Sequence, residues 1–229
     1  MITTSPSLRP IALVVLDMAG TTVADVGLTE IAYTSALRAQ DVESGSADLV
    51  QMLGHIRATM GEPVQSVLRH VLDDDARAQA ALKSFDARYA EFADAGQLVA
   101  MPGAAHAIRS LRESGIKVAL TTGFSQATQQ CILDTLDWGD IADLALRADE
   151  SQPNSTIAAA ESLDVDDPGL IATVGDTAFD IACGRQAAAG FVAGVLTGAH
   201  SGQTLQAAGA THLLPSAMSL PEFITPARD

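Results

Sequence analysis

The chain contains little cysteine and few aromatic residues, and both scarcities exclude classes of protein. Two cysteines and 4% aromatic residues occur among 229 residues. A disulfide-stapled scaffold is therefore excluded, and we interpret Cys131 and Cys183 as ordinary buried thiols. No apolar run approaches membrane-spanning length, and the segment Met1 to Pro10 lacks the cationic and apolar pattern of a secretory signal. We therefore expect a globular protein of the reducing cytoplasm.

Basic residues are also scarce. Lysine and arginine number 13 against 28 aspartates and glutamates, which gives a formal net charge of −15. Such a charge repels nucleic acid and anionic membranes, so we expect neither as a partner. It would also repel a small anionic ligand, unless a bound cation and backbone N–H groups overcame the repulsion at short range. The apolar fraction of 48% is enough to bury a substantial core.

Apolar strand-like segments alternate with helical segments over much of the chain. This alternation predicts an α/β fold with a doubly wound parallel sheet and a Rossmann-like core. A helix is expected over 104–113, opened by Pro102-Gly103 and closed by Gly115. Strands are expected near residues 11–16, 116–120, 143–147, 170–174 and 191–196.

The strand signal disappears between about residues 25 and 99. We predict a core formed by residues 1–24 and 100–229, with residues 25–99 as an all-helical insertion after the first strand. Its helices are expected near residues 29–40, 48–60, 64–72 and 76–95.

Polar residues stand at the ends of three predicted strands. Asp17 follows a buried apolar strand and precedes a Gly-Thr turn, and Asp176 repeats this design before a helix that holds Asp180. A third strand ends in Thr121, where hydroxyls and N–H groups at a helix start could anchor a phosphate oxygen. In open α/β sheets such strand ends meet in one crevice, where carboxylate oxygens suit Mg²⁺.

These motifs, in this order, resemble those of the haloacid dehalogenase (HAD) superfamily of phosphotransfer hydrolases, over nearly the whole chain. They are Asp17-Met18-Ala19-Gly20-Thr21-Thr22, Thr121, and Gly175-Asp176-Thr177-Ala178-Phe179-Asp180. Asp-Met-Ala-Gly-Thr-Thr-Val is similar to the phosphonatase branch and its relatives. The segments 118–124 (Val-Ala-Leu-Thr-Thr-Gly-Phe) and 195–200 (Val-Leu-Thr-Gly-Ala-His) are similar to that branch as well.

The resemblance implies a mechanism and a role for each motif. Asp17 would attack phosphorus and form an aspartyl-phosphate, which water then cleaves. Mg²⁺ would be held by Asp17, the carbonyl of Ala19 and Asp176, and Asp180 would orient Asp176 or a metal-bound water. Thr121 would hold a phosphate oxygen. Further N–H donors would come from Gly20, Thr122 and Gly123. The resemblance also identifies the helical insertion 25–99 as a cap domain, which would close over the active site, exclude water and select the substrate.

Two departures from the family pattern concern proton transfer and imine chemistry. Phosphatases of the superfamily carry an acid two residues after the nucleophile, where this chain has Ala19, which cannot transfer a proton. The Schiff-base lysine of phosphonatase corresponds to Val64, after Met60-Gly61-Glu62-Pro63. The chain's two lysines, Lys83 and Lys117, are interpreted as structural, so the imine route to phosphonoacetaldehyde hydrolysis is not expected.

A third departure concerns the basic residue that pairs with the nucleophile and phosphate. Gln152 stands where the family has Lys or Arg, and Arg147 is the nearest replacement, although a surface arginine is an equal interpretation. His55 and Arg57 of the cap could bind substrate or supply a missing acid or a phosphate clamp, as could His70. Lone residues of this kind on cap helices are more often solvated.

Two hypotheses of function remain open. In the first, the chain is a Mg²⁺-dependent hydrolase of a small phosphorylated or phosphonate metabolite whose leaving group needs little protonation. In the second, it is a degenerate relative that binds a phosphorylated ligand or a protein partner with little turnover. Asp17, Asp176 and Thr121 favour the first, and the missing basic residue favours the second. Cap helices of such relatives sometimes form dimers, so a homodimer also stays open.

Overall fold

The computed structural model describes residues 10–149 and 154–226. A six-stranded parallel sheet forms the centre of this part of the chain, and two short strands pair beside it. The strands are β1 (Pro10–Ile11), β2 (Leu13–Asp17), β3 (Lys117–Thr122), β4 (Leu144–Arg147), β5 (Ile171–Gly175), β6 (Phe191–Val195), β7 (His212–Leu214) and β8 (Thr225–Pro226). The large sheet has the order β4-β3-β2-β5-β6-β7, and β1 pairs with β8.

Helices cover the sheet and fill the interval between β2 and β3. They are α1 (Leu28–Arg38), α2 (Ala47–Ala58), α3 (Val64–Leu72), α4 (Asp75–Asp94), α5 (Ala104–Glu113), α6 (Gln126–Thr135), α7 (Ser155–Ser162), α8 (Ala178–Gln186) and α9 (Gly202–Ala207). The side chain of Asn154 caps α7 by accepting the N–H groups of residues 156 and 157. No helix in the described ranges is long and apolar enough to cross a membrane.

The central strand β2 is apolar on both faces because both faces are covered. Leu13 and Val15 pack in the apolar cluster on one side of the sheet, and Val14 and Leu16 pack in the cluster on the other side. All four side chains are at most 3% exposed. A continuous apolar run is what such a buried parallel strand requires.

The strand order reverses at β2. From β2 the chain proceeds to β3 and β4 on one side, and later to β5, β6 and β7 on the other. Ligands of open α/β sheets bind in the crevice that opens at the carboxyl end of the strands at such a point. Asp17 ends β2, and Asp176 follows β5 directly, so the topology brings both aspartates to this crevice.

The four helices α1 to α4 form a layer above the carboxyl edge of the sheet. Helices α1 and α3 pack on α4, and Leu37, Leu68 and Phe85 are fully buried between them. The chain leaves the sheet at 22–24 and returns at 99–101. Two backbone hydrogen bonds join these crossing segments.

Close contacts tie this helical layer to the sheet. The N–H of Val64 donates to the carbonyl of Gly123 at 2.9 Å. A Cβ at Gly123 would lie 2.6 Å from the carbonyl oxygens of Gly61 and of Glu62, so only glycine allows this approach. On α4, the Oδ1 of Asp86 accepts hydrogen bonds from two hydroxyls near the start of α6. The turn between α2 and α3 therefore lies directly over the end of β3.

The predicted α/β fold is confirmed, and the predicted strands and helices correspond to observed ones within a few residues. The first strand divides at residue 12 into β1 and β2. Strands β1, β7 and β8 were not predicted, because two or three residues are too short to show a period.

The aromatic cluster around Phe85 yields a test of the packing. Phe85 is fully buried, and its ring centroid lies 5.0 Å from that of Tyr33 and 5.8 Å from that of Phe124. We expect Phe85→Ala to lower the free energy of unfolding by about 3–5 kcal/mol, because it removes a large side chain and leaves a cavity. Urea unfolding measures the loss. Val26→Ala is the control, since Val26 is 88% exposed, and an equal loss in both variants would contradict this packing.

Candidate functional site

Three carboxylates converge at the carboxyl edge of the sheet. One oxygen each of Asp17, Asp176 and Asp180 lies within 4.8 Å of the others. Asp17 ends β2 and pairs in register with Thr121 of β3, whereas Asp176 and Asp180 follow β5. In the described part of the chain this is the one cluster of three acidic, histidine or cysteine ligands.

Short polar neighbours hold the second and third carboxylates in place. Asp176 is 2% exposed, and it accepts hydrogen bonds from the hydroxyl of Thr21 at 2.9 Å and from the N–H of Ala199 at 2.7 Å. Asp180 accepts the N–H and hydroxyl of Thr177 at 3.0 and 2.6 Å, and this pair forms a capping box at the start of α8. These bonds leave Asp176 and Asp180 little freedom to move.

Two glycines allow the backbone to approach Asp176. A Cβ at Gly198 would lie 2.0 Å from its Oδ2, and a Cβ at Gly20 would lie 2.6 Å from the same atom. Gly20 also has a φ of 82°, a left-handed conformation that favours glycine. The Gly-Thr turn after Asp17 is therefore required both by its backbone geometry and by the carboxylate beside it.

The three carboxyls resist ionisation in the absence of a cation. Burial raises the pKa of Asp17 well above its usual range, and the charges of Asp180 and Asp176 raise it further. Burial followed by the charge of Asp180 raises the pKa of Asp176 to about 7, and burial raises that of Asp180 to about 6. The hydrogen bonds from their neighbours offset only part of these effects.

This donor set fits a divalent cation. Three hard carboxylate oxygens lie close together, and their repulsion is of the kind that a bound cation relieves. Among the described residues, nothing donates a hydrogen bond to the carbonyl of Ala19. Ala19 lines the same cavity as Asp17 and Asp176, so its carbonyl is available as a fourth oxygen.

A cavity of about 480 Å³ lies between the carboxylates and the helices. Asp17 and Asp176 are part of its floor. Further residues from the sheet side are Ala19, Gly20, Thr122, Gly123, Gly198, Ala199 and His200. The helical side contributes Asp25, Thr29, Glu30, Tyr33, Arg57, Met60, Gly61, Glu62 and Val64. The volume is that of a small-molecule site.

At the end of β3, the residues that line the cavity differ in part from those predicted to bind a phosphate oxygen. Thr122 lines the cavity, whereas Thr121 is absent from the lining and its hydroxyl lies 3.4 Å from the carbonyl of Leu16. Gly123 also lines the cavity, and its N–H has no hydrogen-bond partner among the described residues. The N–H of Gly20, by contrast, already donates to the carbonyl of Val23.

The predicted basic residues lie in different places. Arg57 lines the cavity and pairs with Glu30 through hydrogen bonds of 2.7 and 2.5 Å. Arg147 lines a neighbouring cavity and lies 3.7 Å from Asp149. His55 stacks on the ring of His70 in a third, separate pocket. Gln152 lies outside the described residues.

Neither lysine reaches the cavity. Lys83 is exposed on α4, and Lys117, at the start of β3, donates a hydrogen bond to the carbonyl of Leu163. Val64, to which the sequence resemblance assigns the position of the phosphonatase lysine, is buried and lines the cavity. Neither lysine of the chain is therefore in the cavity to form an imine.

Sequence reasoning assigned no role to three residues that line the cavity. His200 accepts the N–H of Ala178 on Nδ1 at 2.8 Å, so its proton lies on Nε2, which contacts the carbonyl of Arg57 at 3.0 Å. The ring thus joins the start of α8 to the end of α2. His200 and Glu62 lie in segments that carry the family resemblance, whereas Tyr33 has no signal beyond helical periodicity.

The close approach at Gly198 makes a testable prediction about metal binding. We expect Gly198→Ala to weaken the binding of Mn²⁺ or Mg²⁺ at least about tenfold, because the added methyl group must displace the Asp176 carboxylate. Calorimetric titration measures the affinity. Gly139→Ala is the matched control, because a Cβ there meets nothing within 4 Å. Equal affinities in the two variants would exclude Asp176 as a ligand.

The raised pKa values predict how stability depends on pH. Unfolded aspartates titrate near 4, whereas Asp176 and Asp180 titrate at about 7 and 6 in the folded, metal-free protein. The folded state therefore binds more protons between these values, and these groups lower the free energy of unfolding as the pH rises from about 4 to 7.

Saturating Mg²⁺ should consequently stabilise the protein more at pH 8 than at pH 5, because protons compete with the cation at the lower pH. Thermal unfolding with Mg²⁺ and with EDTA at both values measures this difference. The same increase in Tm at both pH values would contradict it.

Comparisons with known proteins show the family and the fold of the chain. A family model for haloacid dehalogenase-like hydrolases matches residues 11–188. No curated protein matches the chain in a sequence search. Among solved structures, a hydrolase from Pseudomonas syringae is 20% identical and covers 94% of this chain and 100% of its own, with a TM-score of 0.79.

Two further solved structures share the fold. A predicted phosphatase from Clostridium acetobutylicum is 18% identical, covers 93% of this chain and 98% of its own, and has a TM-score of 0.75. A phosphonoacetaldehyde hydrolase-like protein from Oleispira antarctica is 20% identical, covers 97% of this chain and 94% of its own, and has a TM-score of 0.69. Because the family model matches most of its length, the chain belongs to the haloacid dehalogenase-like hydrolases.

Proposed function

We propose that the protein is a Mg²⁺-dependent hydrolase of a small phosphorylated or phosphonate metabolite, and that the reaction runs through an aspartyl-phosphate on Asp17. The observation that carries this proposal is the convergence of three carboxylates, two of which, those of Asp17 and Asp176, belong to residues that line a cavity of about 480 Å³. No side chain of the described residues donates a hydrogen bond to the Asp17 carboxylate. This supports Asp17 as the acid that reacts.

Asp17, Asp176 and the carbonyl of Ala19 would hold the Mg²⁺, and Asp180 would orient Asp176. When bound, the cation would reduce the repulsion between the Asp17 carboxylate and an anionic phosphoryl group. The protein has a net charge of −15 and therefore repels an anionic substrate. The positive charge of the cation would offset this repulsion at short range.

The reaction would proceed in two displacements at phosphorus. A carboxylate oxygen of Asp17 forms a bond to phosphorus, while the bond to the leaving group breaks and its electron pair departs with that group. Water then attacks phosphorus, and the bond to Asp17 breaks. This step releases inorganic phosphate and restores the carboxylate.

Positive charge and N–H donors for the phosphoryl group would come from few residues. Gly123 lines the cavity, and its N–H has no hydrogen-bond partner among the described residues. Arg57 is the one arginine or lysine among the described residues of the lining, so it is better placed than Arg147 to supply a clamp. Thr121 stays a prediction. The Thr122 hydroxyl already accepts the N–H of Phe124 at 3.1 Å.

The leaving group should need little protonation. Ala19 has no proton to give, and no lysine lines the cavity to form an imine with an aldehyde. An acyl phosphate, a phosphoanhydride or an activated phosphonate meets this condition. The motifs thus resemble those of the phosphonatase branch, whereas the proposed reaction does not use the imine of phosphonatase.

The helical layer would act as a cap. In this proposal residues 25–99 form the cap and residues 1–24 and 100–229 form the core, with the crossing segments near 24 and 99 as linkers. Contacts at Gly123 and Asp86 hold the layer against the sheet, which would exclude water from the aspartyl-phosphate until it reacts.

One observation favours the alternative of a binding protein with little turnover. Within the described residues, no arginine or lysine other than Arg57 lines the cavity, and Arg57 is paired with Glu30. A site that lacks a free cation would stabilise a phosphoryl transition state less well.

Phosphate release distinguishes the two functions. We expect release from a panel of acyl phosphates, phosphate esters and phosphonates to require Mg²⁺, and to fall at least about a thousandfold in Asp17→Asn, because the amide cannot attack phosphorus. Asp166→Asn, the same change at an exposed position, should keep full activity. Activity that survives Asp17→Asn would exclude the nucleophile, and no turnover with intact Mg²⁺ binding would favour the binding protein.

A further inference from the structure

Two polar residues of the helical wall have side chains without a hydrogen-bond partner among the described residues, and the proposed mechanism does not use them. They are Tyr33, on α1, and Glu62, in the turn between α2 and α3. We propose that Tyr33 and Glu62 bind a protonated amine on the leaving group, so that the substrate is a zwitterion with a phosphoryl group at one end and an ammonium group at the other. This inference rests on the proposed function, since it concerns the same cavity.

Tyr33 is a buried phenol without a partner. The residue is 3% exposed and lines the cavity, yet its hydroxyl makes no hydrogen bond to any described residue. Its oxygen is not wholly enclosed by protein atoms, so a ligand in the cavity can reach it. Buried phenol hydroxyls normally have a partner. A ligand in the cavity would supply the one that Tyr33 lacks.

A second tyrosine shows the ordinary arrangement beside it. Tyr89 is buried to the same degree, and its hydroxyl pairs with that of Thr29 at 2.7 Å. Both tyrosine rings pack against Phe85. The helical layer therefore satisfies one phenol internally and presents the other to the cavity.

Glu62 supplies a negative charge at the same wall. Its backbone is held against Gly123 at the end of β3, and its carboxylate forms no hydrogen bond or ion pair with the described residues. After burial, the charge of Glu62 is the cause that raises the pKa of Tyr33. Both residues line the same cavity, so one ligand there can meet the carboxylate and the phenol.

The other carboxylates of the cavity are already engaged. Asp17 and Asp176 belong to the cation site. Glu30 is paired with Arg57, and that ion pair holds the pKa of Glu30 below its usual range. Asp25 accepts the N–H of Thr29 at 3.1 Å at the start of α1. Glu62 differs from these acids because, among the described residues, its carboxylate has neither a cation nor a hydrogen-bond donor beside it.

An ammonium group fits both neighbours. It can donate to the carboxylate and to the phenol oxygen, and the Tyr33 ring would add a cation–π attraction to a desolvated cation. A carboxylate at the same end of the ligand would be repelled. The cavity volume accommodates a phosphoryl group and a short amine chain together.

Three ligands of equal length test the charge preference. They are 3-aminopropylphosphonate, butylphosphonate and 4-phosphonobutyrate, titrated calorimetrically into the Mg²⁺-loaded full chain. Their C–P bonds are not activated, so binding is measured without turnover. We expect the amine to bind about tenfold more tightly than the butyl compound, and the carboxylate to bind most weakly.

Substitutions assign the preference to residues. Glu62→Gln should bring the ratio of amine to butyl affinity close to one, because the amide keeps the shape and loses the charge. Tyr33→Phe should reduce the ratio about threefold, because it removes one acceptor and keeps the ring. Glu161→Gln, the same change on the exposed surface of α7, should leave the ratio as it is in the natural chain.

Equal affinities for the three ligands, tighter binding of the carboxylate, or no binding at all would overturn the amine site. So would an amine preference that survives Glu62→Gln. Failure of the hydrolase proposal is recognised separately: the amine preference would persist, while no phosphate is released in an Asp17-dependent way. Release of phosphate without any amine preference would support the hydrolase proposal and overturn the proposal of an amine site.

Discussion

The confinement of three carboxylates at one edge of the sheet is the constraint on which the rest of the structure depends. Burial and mutual repulsion raise the pKa of Asp17, Asp176 and Asp180, so the cluster is unfavourable at neutral pH without a counter-charge. The surrounding chain is adapted to hold it: glycines at 20 and 198 make room for the Asp176 carboxylate, and short hydroxyl and N–H donors orient its oxygens. A cation bound among these carboxylates would offset the cost of this arrangement.

The helical layer gives the cavity a second, chemically different wall. The sheet edge presents groups suited to a cation and a phosphoryl oxygen, whereas the helices present the Tyr33 phenol, Glu62 and the Arg57–Glu30 pair. The turn between α2 and α3 is the part of this wall nearest the end of β3, because Gly123 permits backbone contact there. Val64 follows that turn with a buried apolar side chain. By the sequence resemblance, Val64 stands where a phosphonatase has its lysine, and here its side chain packs in the apolar core.

Much of the fold was predictable because its elements repeat a strong local pattern. Buried strands such as β2 are continuous apolar runs, and the helices of the layer follow a 3.6-residue period between recognisable caps. The short strands β1, β7 and β8 were missed because they depend on neighbours rather than on their own residues. The cavity was predictable only in part. Asp17 and Asp176 were expected to meet in one crevice because each follows a buried strand, and their carboxylates lie within 4.8 Å of each other. Tyr33, Glu62 and His200 were given no role.

The sequence by itself determined the α/β class, the helical interval after the first strand, and the order of the motifs that places the chain among the haloacid dehalogenase-like hydrolases. These features are local, since a strand, a turn and an adjacent carboxylate are consecutive in the chain. Only the tertiary structure decided which side chains face the cavity: Arg57 but not Arg147, and Thr122 but not Thr121. It also decided that the hydroxyl of Tyr89 is paired and that of Tyr33 is not. Such outcomes depend on how separate helices pack over the sheet, and no local period encodes that packing.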